Sequence, residues 1–487
     1  MSGDAGCTAG CADNSGGRNF ILHKVFPIPL SRKVPVRFLL CSTLWTLFLS
    51  LILVSSLGCG GNSATNGGGQ PGGVAIAQAP SQIGAGANWQ FSAQVSGSSN
   101  QAVTWTVSTA NGGTIDSNGL YIAPTTGSFP LTVNISAASQ ADPAVSTSTS
   151  ISVTQTDPVG SAQGTMIPCP TFGGGLSDGT TTCYQVNTSC PGAADFSAYL
   201  KVNSPTETPF GTVIFGTGTG GAALYDYDQP DFFNGSTNGG LAVVQGVLDA
   251  GFTTVQVSFG SPFTDTTPNG WLTGPGGVRR LACRYATVAQ WVYQNIHNSN
   301  ASAPLCGTAN SGGSAGIAYA ITDYGLDSIF SMVEETSGPP MARLDQACAP
   351  PSSSACQTRQ FTCNSGDPVE NLTTCYTTAD AGIVDTAYPQ PYCKNAINGA
   401  TPPAGLFLSD SILGGPTPHT LPKTRVNVLF GGQDTSAAVA QGLTWMNGLT
   451  NTNTSQNCVS DAPHPIPSVQ DGASTIVADI QNNCRLQ

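Results

Sequence analysis

Charge is the scarcest property of this chain: only 9% of its 487 residues are Asp, Glu, Lys or Arg, and just 15 are basic. Beyond Cys59 ten Lys and Arg face 25 Asp and Glu, a balance that disfavours nucleic acid or any other anionic polymer as partner. Histidine is rarer still, with four in all, and none is clustered with cysteines. The twelve cysteines after Cys59 contain no C-x-x-C pair, so neither a zinc site nor a dithiol redox centre is indicated. No metal or organic cofactor is expected. What is abundant is glycine, 59 residues, and with it the freedom for sharp turns.

The N-terminal part reads as an export signal. Arg32, Lys33 and Arg37 precede a largely apolar run from Phe38 to Leu57, which closes at Leu57-Gly58-Cys59. That ending resembles a bacterial lipoprotein processing site in which Cys59 becomes the lipidated first residue, although Ser56 stands where such sites usually carry an aliphatic residue. The alternatives are an uncleaved signal anchor, since about 20 apolar residues span a bilayer, and simple secretion. All three place the remainder outside the cytoplasm. The even dozen of cysteines, enough for six disulfides, suits an oxidising compartment. Their pairing cannot be deduced from spacing.

Composition divides the chain after residue 59. Residues 60–73 are a Gly/Asn/Ser tether. Residues 74–156 hold short alternating runs, Trp89 to Val95, Ala102 to Ser108, Leu120 to Ala123, Leu131 to Ala137 and Ser146 to Val153, separated by turn signals. They predict a small β-sandwich. The run around Trp105, followed by Gly113 to Tyr121, resembles bacterial immunoglobulin-like domains of surface proteins, with Trp105 as a core residue and the domain as a spacer or adhesive module. From about residue 164 to the C-terminus, strands alternate with helices, which predicts an α/β domain with a parallel sheet. Its strands are Thr212 to Phe215, Thr254 to Phe259, Leu305 to Ala309, Ile329 to Glu334 and Val426 to Phe430. Residues 345–422, rich in Cys, Pro, Ser and Thr, read as a disulfide-braced insertion.

One stretch carries chemistry. Gly312-Gly313-Ser314-Ala315-Gly316 matches G-x-S-x-G and leads into a helix-like run from Ile317 to Tyr324. Small residues around a serine let a strand turn sharply into a helix and expose the hydroxyl, so Ser314 is the expected nucleophile. A base is then found by elimination. His23 precedes the export signal, while His297 and His419 each lie near the start of a strand, away from the C-terminal edge where sites in parallel sheets collect. His464 remains, between Pro463 and Pro465. Asp434, just past the strand Val426 to Phe430, is placed to orient it and also to cap the next helix, with Glu334 or Glu335 as runner-up acid.

With Ser314, Asp434 and His464 in that chain order, residues 200–487 resemble the α/β-hydrolase superfamily. The resemblance implies a mostly parallel sheet with helices on both faces, acyl transfer through an acyl-enzyme, and two backbone donors for the oxyanion. Ala315 N–H would be one, and Thr217 or Gly218 in the glycine-rich loop after Phe215 the other. The expected function is an exported serine esterase acting on a neutral ester, polymeric material included. Phe259, Phe263 and Trp271 suit an apolar acyl or aryl group, or else are core. A peptidase or amidase is less favoured because nothing marks a pocket for a charged side chain. The competing class is a surface-binding or adhesion protein with an inactive hydrolase domain.

Overall fold

The structure is a computed structural model that describes residues 72–169, 181–226, 239–260, 269–363, 368–416, 419–450 and 453–486. The leader, Cys59 and Phe263 lie outside the described residues.

The region from 211 to 459 contains five runs with nearly every residue buried, as strands covered on both faces require. They belong to a nine-stranded sheet. Its strands are β1 (Ser161–Ile167), β2 (Thr181–Ser189), β3 (Phe196–Asn203), β4 (Gly211–Gly216), β5 (Phe252–Ser258), β6 (Leu305–Asn310), β7 (Met332–Thr336), β8 (Arg425–Gly431) and β9 (Thr454–Val459). The spatial order is β1-β2-β3-β5-β4-β6-β7-β8-β9. The first three strands run antiparallel to their neighbours, and β5 through β9 are parallel. This exchange of β4 and β5 within a mostly parallel sheet is the α/β-hydrolase arrangement. The chain leaves β4 toward one side of the sheet to form β5 and returns on the other to form β6. The C-terminal ends of β4 and β6 therefore flank the reversal of strand order, where a crevice opens.

Helices cover both faces. α1 (Gly239–Asp249) and α6 (Gln470–Asn483) bury Val243, Val247, Ile476 and Ile480 against Val213, Phe215 and Leu429. On the other face α2 (Cys283–Asn295), α3 (Gly312–Thr322) and α5 (Ala437–Gly448) bury Val288, Ile317 and Leu443 over Ile214, Val255 and Val428. The segment after β7 carries the hairpin Thr358–Thr362 with Pro368–Thr373 and helix α4 (Thr378–Asp385). All twelve cysteines among the described residues pair: 169 with 183, 190 with 283, 306 with 484, 348 with 393, 356 with 375 and 363 with 458. The segment between β7 and β8 is braced internally by two bridges and to β9 by Cys363–Cys458.

Residues 73–154 form short strands in three small sheets around Phe91, Trp105, Tyr121, Val133 and Ile151. Trp105 is a core residue. This β segment does not stand free of the large sheet's helices. Asp157, just past its last strand, is 2.6 Å from Arg279 Nε, and Arg279 also reaches Ala85 O at 3.1 Å and Asp323 at 3.2 Å, all three ionic side chains being buried. Asn88 donates to Asp410 at 2.6 Å, and Arg280 donates to Asn88 O while its guanidinium lies 4.4 Å from the Trp89 ring centre.

No helix among the described residues is long and apolar enough to cross a membrane.

Candidate active site

Where β6 ends, the next residue takes a conformation that side chains avoid. Ser311 has φ 50° and ψ −121°, and α3 starts directly after it. A non-glycine residue held there is strained, and such strain is what a sharp strand-to-helix turn imposes on the residue at its apex. The turn is fixed from three sides. Ser311 N–H donates to Thr336 O on β7 at 2.9 Å, Trp271 Nε1–H donates to Gly312 O at 3.2 Å, and the Ser314 hydroxyl donates to Ser311 O. The glycines after it are steric necessities. A β-carbon on Gly312 would lie 2.7 Å from Gly220 N, and one on Gly313 would overlap the Thr217 carbonyl.

Ser314 is not at the turn: it sits in the first turn of α3, fully buried, its hydroxyl committed to the Ser311 carbonyl. Two serine patterns overlap here, Ala309-Asn310-Ser311-Gly312-Gly313 and Gly312-Gly313-Ser314-Ala315-Gly316. Only the first places its serine directly after the strand. The apolar run Leu305 to Ala309 already ended two residues before Ser311 and five before Ser314, which was the signal available in the sequence.

Ala315 N–H is engaged in the helix with Ser311 O at 3.2 Å. Thr217 is fully buried, its hydroxyl donating to Ala223 O and accepting from Ala223 N–H. Gly218 does lie at the turn: a β-carbon on it would be 3.6 Å from Ser311 Cβ. The backbone N–H of Thr219 stands 3.1 Å from the β-carbon position of Gly312, and Thr219 takes the left-handed values φ 49° and ψ 51°. The residue following Ser311 is Gly312, whose N–H is the local counterpart of the one assigned to Ala315.

Asp434 and His464 are brought together. Gly432 N–H donates to Val459 O and Gln433 N–H to Ala462 O, which clips the loop after β8 to the loop after β9. His464 Nδ1 lies 2.8 Å from Asp434 Oδ2 and 3.2 Å from Ser436 Oγ. A carboxylate only accepts, so the ring carries its proton on Nδ1 and leaves Nε2 for chemistry. Burial pushes the Asp434 carboxyl up, but the hydrogen bond and charge of His464 and the Ser436 N–H at 2.9 Å outweigh it and hold the group below the ordinary aspartate range. Asp434 thus orients the ring and also fastens the turn before α5.

Two of the eliminated histidines, His297 and His419, are buried outside the cleft. His297 is buried, with ring contacts to Thr212 Oγ1, Asn300 O and Ala303 O at the start of β4, and His419 is buried beside Leu449. Glu334 and Glu335 lie within β7 instead of past it. Both are fully buried with no hydrogen-bond partner among the described residues, and burial raises both well above the ordinary range. Neither contacts His464.

Ser311, Gly312, Ser436 and His464 line one cavity of about 200 Å³. Its remaining wall is chiefly apolar, including Leu272, Met341, Ile383 and Val384, the last two from α4 of the insertion. Trp271 and Phe259 are buried core residues and do not line it.

No protein-family model and no curated protein matches this chain. Among solved structures it is similar to a bacterial heroin esterase (12% identity, 64% of this chain and 86% of that one, TM-score 0.39). It is also similar to a putative hydrolase from Agrobacterium vitis S4 (11%, 63% and 99%, TM-score 0.38). A third similar structure is a thermostable carboxyl esterase from Bacillus coagulans (12%, 62% and 99%, TM-score 0.36). The fold of the large-sheet region is, by its own strand order, that of the α/β-hydrolases.

Proposed function

We propose that the chain is an exported serine hydrolase that cleaves carboxylic esters, with Ser311 as nucleophile, His464 as base and Asp434 as its orienting acid. The observation that carries this reading is the strained Ser311 at the end of β6 sharing one cleft with a His464 whose Nδ1 is held by Asp434. His464 Nε2 takes the Ser311 hydroxyl proton as Oγ attacks the ester carbonyl carbon. The tetrahedral oxyanion is met by the N–H of Gly312 and by an N–H of the Gly218–Gly220 turn. Collapse expels the alkoxide, which takes the proton from His464, and leaves an acyl-Ser311 ester. Water, deprotonated by His464, then releases the acid and restores the serine.

The substrate is a neutral ester, since the wall beside the nucleophile is mostly apolar. Export rests on the leader and on twelve cysteines paired as six disulfides, with Cys59 as lipid attachment or its segment as anchor. Residues 74–156 are read as immunoglobulin-like and 164–487 as the hydrolase domain.

Hydrolysis of p-nitrophenyl esters and labelling by a fluorophosphonate test the assignment. Wild type should turn over and label at Ser311, Ser311→Ala and His464→Ala should lose about a thousandfold or more in kcat/KM, and Ser314→Ala should still label. A folded wild type that neither hydrolyses nor labels would overturn the enzyme reading in favour of a binding protein.

A further inference from the structure

The cleft beside Ser311 is apolar except at one place away from the catalytic groups. Tyr376 and Asp380, both from the insertion, line it together. Each is fixed and each keeps one unused capability. Tyr376 is buried, tied through its own N–H to Ala347 O at 2.8 Å, and its hydroxyl oxygen accepts Met341 N–H at 3.1 Å, so its O–H proton remains to be donated. Asp380 Oδ2 receives Thr377 N–H at 3.0 Å and the Thr377 hydroxyl at 2.7 Å in a capping box, which sets the carboxylate's orientation and leaves Oδ1 without a partner among the described residues. The two side chains do not hydrogen bond to each other. Burial, and after it the charge of Asp380, pushes the Tyr376 hydroxyl up, so it stays a protonated donor at every relevant pH.

A donor and an acceptor set apart in an otherwise apolar wall are complementary to a group that both accepts and donates one hydrogen bond. Resting on the esterase reading above, we propose that Tyr376 and Asp380 are specificity residues that recognise a hydroxyl on the substrate, remote from its ester carbonyl. The substrate hydroxyl accepts from Tyr376 and donates to Asp380 Oδ1. An alkyl or aryl body packs on Leu272, Met341, Ile383 and Val384. An amine-bearing substrate would satisfy Asp380 but would turn an ammonium toward the Tyr376 proton, so a neutral hydroxyl fits the pair better.

The test compares kcat/KM for matched esters differing by one hydroxyl: p-nitrophenyl 3-phenylpropanoate against its 4-hydroxyphenyl analogue, and hexyl against 6-hydroxyhexyl acetate, to cover both sides of the ester. At least one pair should favour the hydroxylated member by about tenfold to a hundredfold, and the ratio should fall toward one in Tyr376→Phe and in Asp380→Asn, which preserves a capping acceptor. Calorimetric binding of 3-(4-hydroxyphenyl)propanoate, 3-phenylpropanoate and 1,6-hexanediol to Ser311→Ala reads the same preference without turnover, so that failure of catalysis and failure of recognition separate. Ratios near one in wild type with no binding preference would overturn the proposal, as would a preference unchanged in both variants or one for an amino analogue over the hydroxyl.

Discussion

Two serines three residues apart have opposite surroundings. Ser311 stands strained at the end of β6 and lines the cleft, while Ser314 is sealed in α3 and serves as a donor to the Ser311 carbonyl. Ser314→Ala removes one buried hydrogen bond and should cost about 0.5–1.5 kcal/mol in denaturant unfolding, with esterase activity within about tenfold of wild type. Loss of activity as deep as in Ser311→Ala would return the nucleophile to Ser314. Asp434→Asn retains the shape of the side chain but turns the wrong tautomer of His464 toward the serine. A fall in kcat of about 10³–10⁴-fold with little change in melting temperature is expected, read by steady-state kinetics beside a thermal melt.

At the scale of elements, the insertion contributes the cleft wall through α4 and Tyr376, yet in sequence it lies between β7 and β8 and is held to the sheet by Cys363–Cys458. Those cysteines are 95 residues apart, so the bridge closes a long loop in the unfolded chain. The Cys363→Ser/Cys458→Ser double variant should lose about 2–5 kcal/mol of unfolding free energy. Because the hairpin and α4 lose their tether, KM for esters should rise more than kcat falls. Unchanged KM in a destabilised variant would detach the bridge from the site.

Across the whole molecule, the N-terminal β segment and the large-sheet region share a buried ionic cluster. Arg279 sits between Asp157 and Asp323, and removing one carboxylate leaves a guanidinium short of a partner in the interior. Asp157→Ala should therefore destabilise by about 3–5 kcal/mol, and a chain beginning after residue 157 should express poorly or aggregate. The same interior sets a pH dependence. Burial raises Glu334 and Glu335 well above their ordinary range. The unfolded chain gives up these protons near pH 4 and the folded chain keeps them. Their stabilising contribution is thus complete below about pH 4 and is lost as pH rises toward the folded values. Melting temperature should fall between pH 5 and pH 8, and Glu335→Gln should flatten that slope. A rise over the same interval would show the carboxyls to be ionised in the fold.

Much of this was legible in local pattern. Four of the five parallel strands named from apolar runs lie within about two residues of their observed bounds, and the fifth, Ile329 to Glu334, slid by three because Phe330 extended its apolar run backward over a turn. The antiparallel strands β1 to β3 and the edge strand β9 escaped notice, since Thr, Ser, Asn and Gln fill their exposed positions and blur the alternation. Scarcity of histidine, through elimination, and the position of Asp434 after an apolar run selected a pair that the structure holds at 2.8 Å. By itself, then, the sequence determined the α/β layering and the two loops that meet at His464, because burial periodicity and strand order are written residue by residue. Only the tertiary structure set the Gly218–Gly220 turn against Gly312 and put Tyr376 and Asp380 in the cleft. Those depend on contacts between segments tens to more than a hundred residues apart, which no local pattern encodes.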